Sequence, residues 1–280
     1  LKTFYSQRTA VTNTKPTKKL FALANPLLTG QKVKKKNSET GLSALATSCR
    51  QAGPASSDLI RSLAPLPDTE KEIDNVKNSL GKTKKSDIQI LTRKDANEEK
   101  LRQVKLADYK VLYFATHGLL PGELKCQAEP GLVLTPPKKA DSRGNDGLLE
   151  ASEIASLKLN ADLVVLSACN TAGSGGKFGG DALSGLAEAF FYAGAKSLVV
   201  SHWPVPSKAT ASLMSKMFKE LGPELKLGAS LAMRKAQTTL INKKETSHPF
   251  FWAAFVVVGD GIADSWLPIA RGEKLVKNAN

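Results

Sequence analysis

Hydrophobic and polar positions along the chain fall into two alternating patterns. Short runs apolar throughout recur at 19–25, 88–92, 110–116, 162–168, 196–202 and 251–258, and each reads as a strand buried on both faces. Between them lie stretches with apolar residues at helical spacing. Pro67-Asp68-Thr69 opens a helix to about Leu80, with Asp68 as its cap and Ile73, Val76 and Leu80 on one face. Asp95 is expected to cap a helix running to about Val104. Further helices are expected near 151–156, 182–193, 207–221 and 228–242, the second of these ending at Gly194, a usual C-terminal stop. Residues 27–66, rich in Gly, Ser, Lys and Pro, read as a long loop or insertion. Residues 119–147 read as loop with one inserted strand at 131–135, and 173–180 as a flexible loop. Strands separated by helices predict an α/β three-layer sandwich: a mainly parallel central sheet with helices on both faces. The expected divisions are 1–108, an N-terminal part holding the long loop; 109–262, a core holding the chemistry; and 263–280, a tail.

Two strand tips carry reactive side chains. The run Val111–Thr116 ends in His117-Gly118, and Leu163–Leu166 leads into Ser167-Ala168-Cys169-Asn170-Thr171. In an open parallel sheet the C-terminal strand ends are where ligands gather. A thiolate is a strong nucleophile, and a nearby imidazole can take its proton and later protonate a leaving amine. His117 stands 52 positions before Cys169, close to the spacing of about 50 found in caspases. The competing explanations are a buried structural cysteine and a loop histidine. Gly118, without a side chain, lets its N–H approach a ligand, and with the N–H of Cys169 it would form an oxyanion hole.

The remaining composition narrows the possibilities. Three cysteines (Cys49, Cys126, Cys169) with no CxxC spacing argue against a disulfide framework or zinc ribbon and suit a reducing compartment, with the cytoplasm as the expected location. Three histidines and no HExxH pattern argue against a metal hydrolase, and no metal or organic cofactor is expected. No apolar run is long enough to span a bilayer. The start at Leu1, without a methionine or leader, suggests a fragment or processed product. The net charge of +14 is carried partly by lysine clusters at 15–19, 32–36 and 82–85. These read as solvated loops rather than a specific nucleic-acid surface, because they lack arginine and interleaved aromatics.

The ordered segments Ala115-Thr116-His117-Gly118, Leu166–Thr171, Ala187–Phe190 with Ala193-Gly194-Ala195, Ser201–Val205, and His248–Phe255 resemble the successive signatures of CHAT domains, in the clan of caspases, separases and gingipains. The likeness runs from about Lys18 to Asp260 and is strong after Tyr109. It implies a caspase-like fold and a cysteine endopeptidase with Cys169 as nucleophile and His117 as base. It also implies a protein or peptide substrate, a regulatory partner or an N-terminal repeat region, and a role in bacterial signalling or defence. The alternative is a catalytically silent scaffold of the same fold. Trp203 and Val205 resemble pocket walls. Where many relatives carry acids after WxV, this chain has Pro206-Ser207, which puts cleavage after Arg or Lys in doubt and leaves Ser207 lining the pocket. Asp181 fits either a pocket acid for a basic substrate residue or the cap of the helix beginning at Ala182. His202 and His248 read as structural, Cys126 as a plain exposed thiol, and Cys49 has no evident role. The loop 171–181 lacks GxxxxGK[ST] and is not read as a phosphate cradle; it suits a loop that orders on activation.

Overall fold

The computed structural model describes residues 15–30, 57–81, 83–124, 127–138, 145–167, 179–203, 205–222 and 227–260, with backbone only for 179–184. Strand β1 (Lys18–Pro26) is followed by helices α1 (Ser57–Arg61) and α2 (Asp68–Ser79), strand β2 (Ile88–Arg93), helix α3 (Glu98–Arg102) and strand β3 (Tyr109–Ala115). Three short strands come next, β4 (Gly118–Leu119), β5 (Gly131–Val133) and β6 (Leu148–Glu150), then helix α4 (Ala151–Ala155) and strand β7 (Leu163–Leu166). The chain continues through α5 (Gly179–Ala193), β8 (Ser197–Ser201), α6 (Ser207–Leu221) and α7 (Ala229–Ile241), and closes with β9 (Phe255–Gly259).

Six strands form one sheet in the order β2-β1-β3-β7-β8-β9. The first five run parallel and β9 pairs antiparallel with β8. Alternation along the strands sorts side chains onto two faces. Leu20, Ala22, Ala24, Val111, Tyr113, Ala115, Val165 and Val199 pack on one face against α2, α6 and α7. Phe21, Leu23, Leu112, Phe114, Val164, Leu166, Leu198 and Val200 pack on the other against α3, α4 and α5. Phe21 meets Tyr109 and Phe114 edge to face, at 5.9 and 6.3 Å between ring centres. The expected three-layer sandwich is therefore present, with both faces of the sheet covered.

Several local expectations are corrected. Helix α3 is capped by Asn97, whose side chain accepts from Lys100 N at 2.8 Å, whereas Asp95 sits in the preceding turn. Asp68 is the first residue of α2 rather than its cap, and no side chain caps that end. Instead the neighbouring Thr69 donates to Leu66 O. The last strand begins at Phe255, because His248-Pro249 starts a 3-10 turn over Pro249–Phe251 in which His248 Nδ1 accepts from Phe250 N. The region 119–147 contributes to a second, antiparallel sheet, β4-β5-β6, rather than a loop with one strand. Its strands have two or three residues, too short for a period-two pattern to register. Leu119, Leu124, Val133 and Leu148 of this region form a small third core with Leu28 and with Ile60 of α1. Part of the expected long loop at 27–66 is thus helical and packed; residues 31–56 lie outside the described residues.

Candidate active site

The strands that lead to His117 and Cys169 are neighbours. β3 and β7 pair in parallel register, Tyr113 opposite Val165 and Phe114 opposite Leu166, and Ser167 N donates to Phe114 O at 2.9 Å. Their C-terminal ends are therefore level. Cys169 itself lies outside the described residues, as do Cys49 and Cys126.

His117 leaves the tip of β3 half-buried, and its ring is already engaged. Nε2 lies 2.8 Å from the carbonyl oxygen of Ala64. A carbonyl only accepts, so Nε2 carries the proton and a neutral ring keeps Nδ1 as its acceptor. Ala64 sits between α1 and α2 in the stretch expected to be loop, and its position is held from several sides. The Arg61 guanidinium donates to Pro136 O and Pro137 O at 3.2 and 2.7 Å. Thr29 N donates to Arg61 O, and Gly30 N to Leu63 O. Sequence reasoning missed Ala64 because the contributing group is a backbone carbonyl, which any residue carries.

Gly118 opens β4. Val133 N donates to His117 O at 2.8 Å, which makes Gly118 and Leu132 a non-hydrogen-bonded pair in the antiparallel ladder. The Gly118 N–H is therefore directed away from β5. Thr116, between the strand and His117, is buried, and its hydroxyl donates to Val133 O.

The segment after β8, the next strand over, carries residues expected to wall the pocket. Val205 is buried, and Trp203 is half-buried with Nε1 donating to Phe250 O at 3.1 Å. His202 is exposed, and its N–H donates to Ala254 O. Ser207 is exposed at the start of α6, where it lines a polar groove with Lys71, Asn75 and Lys208. Asp181 falls inside the first turn of α5, which begins at Gly179, so it does not cap that helix; its side chain lies outside the described residues.

Three acids in the surrounding elements have raised carboxyls. Glu72 of α2 is buried and accepts from the Tyr113 hydroxyl of β3. Burial pushes its carboxyl up to about 7, opposed by hydrogen bonding from Ser167 and Tyr113. Glu98 of α3 is 1% exposed, and burial, with the nearby charges of Glu153 and Asp146, pushes it up to about 8. Glu150 is raised to about 7 by burial and then by Asp146, Glu129 and Glu153. Among the described residues no cluster of three His, Cys, Asp or Glu is placed to hold a metal ion, and no helix is long and apolar enough to cross a membrane.

The CHAT domain family model matches residues 3–260. The chain belongs to the CHAT domain family. Two curated relatives align over 115 residues, 41% of this chain: tetratricopeptide repeat protein 28 of Mus musculus at 36% identity and of Homo sapiens at 35%. The chain spans only 4% of the length of these relatives. Among solved structures, the Arg-specific cysteine proteinase gingipain R is similar with a TM-score of 0.51 at 12% identity, covering 94% of this CHAT chain and 52% of the other. The complex of Porphyromonas gingivalis RgpB pro- and mature domains is similar with a TM-score of 0.50 at 12% identity, covering 94% and 53%. At that identity the likeness establishes the fold, a caspase-like scaffold, and nothing finer.

Proposed function

We propose that this CHAT domain is a cysteine endopeptidase working through a His117–Cys169 dyad. The observation that carries the proposal is the level ending of two paired strands. One delivers a histidine whose Nε2–H is already committed to Ala64 O; the other leads within three residues to the cysteine. A histidine held in that tautomer has Nδ1 free to accept the thiol proton, which is what a general base requires.

The chemistry then follows in balanced steps. His117 Nδ1 takes the proton from Cys169 Sγ. The thiolate attacks the substrate carbonyl carbon, forming a C–S bond and moving the carbonyl electron pair onto oxygen. The N–H groups of Gly118 and Cys169 hold that oxyanion. Collapse breaks the C–N bond as the imidazolium gives its proton to the leaving amine. Water, deprotonated by the same ring, then hydrolyses the thioester and restores the thiol. Trp203 and Val205 wall the pocket for the residue before the scissile bond, and Ser207 lies at its margin. Asp181 would pair a basic side chain there; in its absence from the pocket, Ser207 in place of an acid favours an uncharged residue.

The substrate on this account is a protein or peptide, cleaved without metal or organic cofactor in a reducing compartment such as the cytoplasm. The repeat-protein relatives support an N-terminal repeat region or regulatory partner as the controlling element. They also favour a second reading, a silent caspase-like signalling scaffold, because those relatives are named for their repeats rather than for an activity. Digestion of a peptide mixture separates the two. The peptidase reading expects products that disappear in both His117→Ala and Cys169→Ala proteins, with a loss of at least about 100-fold in rate for the histidine variant. The scaffold reading expects no difference among the three proteins.

A further inference from the structure

A buried carboxylic acid wedged between a helix and a sheet is costly unless it is hydrogen-bonded. Glu72 is 3% exposed, on the face of α2 that also buries Ile73 and Val76. Its Oε1 accepts from the Tyr113 hydroxyl. Tyr113 sits in β3, four positions before His117, between its partners Ala22 of β1 and Val165 of β7. Ser167, at the end of β7 and two positions before Cys169, is 3% exposed. Its hydroxyl makes no hydrogen bond among the described residues, but it lies near enough to the same carboxyl to favour its ionised form. One side chain of α2 thus hydrogen-bonds a hydroxyl of β3 and lies beside a second, unbonded hydroxyl at the end of β7.

The surroundings make this connection specific. The groups acting on Glu72 are its burial and the two hydroxyls; no charge figures among them. The charged side chains of the elements around it, Lys208, Lys216, Lys219 and Glu220 on α6, Lys18 and Lys19 on β1, and Asp68, Glu70, Lys71, Asp74 and Lys77 on α2 itself, are not among the groups that set its carboxyl. An apolar residue at position 72 would fill the same interface between α2, α6 and the sheet without needing partners.

We infer that Glu72 is a positioning residue for the His117–Cys169 reaction, tying α2 to β3 through its hydrogen bond with Tyr113 and abutting Ser167 at the end of β7, and so setting the separation of imidazole and thiol. The inference rests on the dyad of the preceding section. Two groups that must exchange a proton work only over a narrow range of separations, and a misplacement of about 1 Å costs on the order of 100-fold. Glu72 also ionises in the working pH range, where a buried anion beside the end of β7 opposes formation of a thiolate.

The test is the pH dependence of Cys169 alkylation by iodoacetamide in the 280-residue chain. Mass spectrometry of the Cys169 peptide separates it from Cys49 and Cys126. Glu72→Leu should slow alkylation at pH 7 about tenfold. Glu72→Gln still accepts from Tyr113 but cannot ionise; it should keep a near-wild-type rate and lower the midpoint of the pH profile. Should Glu72→Leu fail to fold, Tyr113→Phe removes the same hydrogen bond while keeping the ring, and the same slowing is expected. His117→Ala provides the reference, and it should flatten the wild-type profile. Wild-type profiles in the Glu72 and Tyr113 variants, with a flattened one in His117→Ala, would overturn the role of Glu72 alone. An unchanged profile in His117→Ala would overturn the dyad, and the inference with it.

Discussion

His117 is held from behind by a backbone carbonyl, a group that no side-chain substitution deletes. Its support can be loosened instead: Arg61→Ala removes the two hydrogen bonds to Pro136 O and Pro137 O that anchor the segment before Ala64. Steady-state kinetics should then show kcat reduced about tenfold with KM little changed, since the loss falls on orientation of the base rather than on substrate binding. Glu98 affords a second prediction at this scale. Its folded pKa is raised from 4.5 to about 8. The unfolded carboxyl releases its proton near its ordinary value while the folded one keeps it, so stability is fully present below about pH 4.5 and is lost as pH rises to about 8. Glu98→Gln removes that dependence. Its melting temperature should exceed wild type by a few degrees at pH 8 and match it near pH 4, by calorimetry at both pH values. Equal melting temperatures at pH 8 would mean that Glu98 is not held protonated. At the residue scale the strand-tip histidine was legible, because polarity changes sharply after the apolar run Val111–Ala115. Ala64 was not, because a carbonyl contact between residues 53 positions apart leaves no mark on residue type.

Elements with strong periodicity were legible to within a residue or two: α6 spans Ser207–Leu221, as its apolar face at helical spacing requires, and α7 falls within the expected 228–242. The β4-β5-β6 sheet escaped because two- and three-residue strands cannot display alternation, and their order depends on contacts far apart in sequence. A close approach makes this element sensitive. Gly147 has φ +97, and a Cβ there would lie 2.6 Å from Pro136 Cα. Gly147→Ala should destabilise the fold by about 1–3 kcal/mol, measured by urea unfolding, because the backbone is strained and the clash is with backbone. The consequence reaches the site, since β5 takes the His117 carbonyl through Val133 N and Pro136 faces Arg61. The same urea midpoint for Gly147→Ala and wild type would show that this sheet is not a determinant of stability.

For the molecule as a whole, the sandwich was readable because its strands are buried on both faces, which the sequence expresses as continuous apolar runs. Membership in the CHAT family and a gingipain-like fold agree with that architecture. The net charge of +14 belongs to the chain as a whole, and part of it lies in the lysine clusters at 15–19, 32–36 and 82–85. Retention on DNA should accordingly fall away as salt rises toward about 0.3 M, without preference among sequences, as expected of counterion release alone. A sequence-selective complex surviving that salt would assign the lysine clusters a recognition role. The central claim concerns the two strand ends, and it is tested most directly by digesting a diverse peptide mixture with wild-type, His117→Ala and Cys169→Ala proteins and reading the products by mass spectrometry. The account predicts products from wild type alone, with a common residue type before each cut. Identical product sets from all three proteins, or none from wild type together with a Cys169 alkylation profile indifferent to His117→Ala, would contradict it.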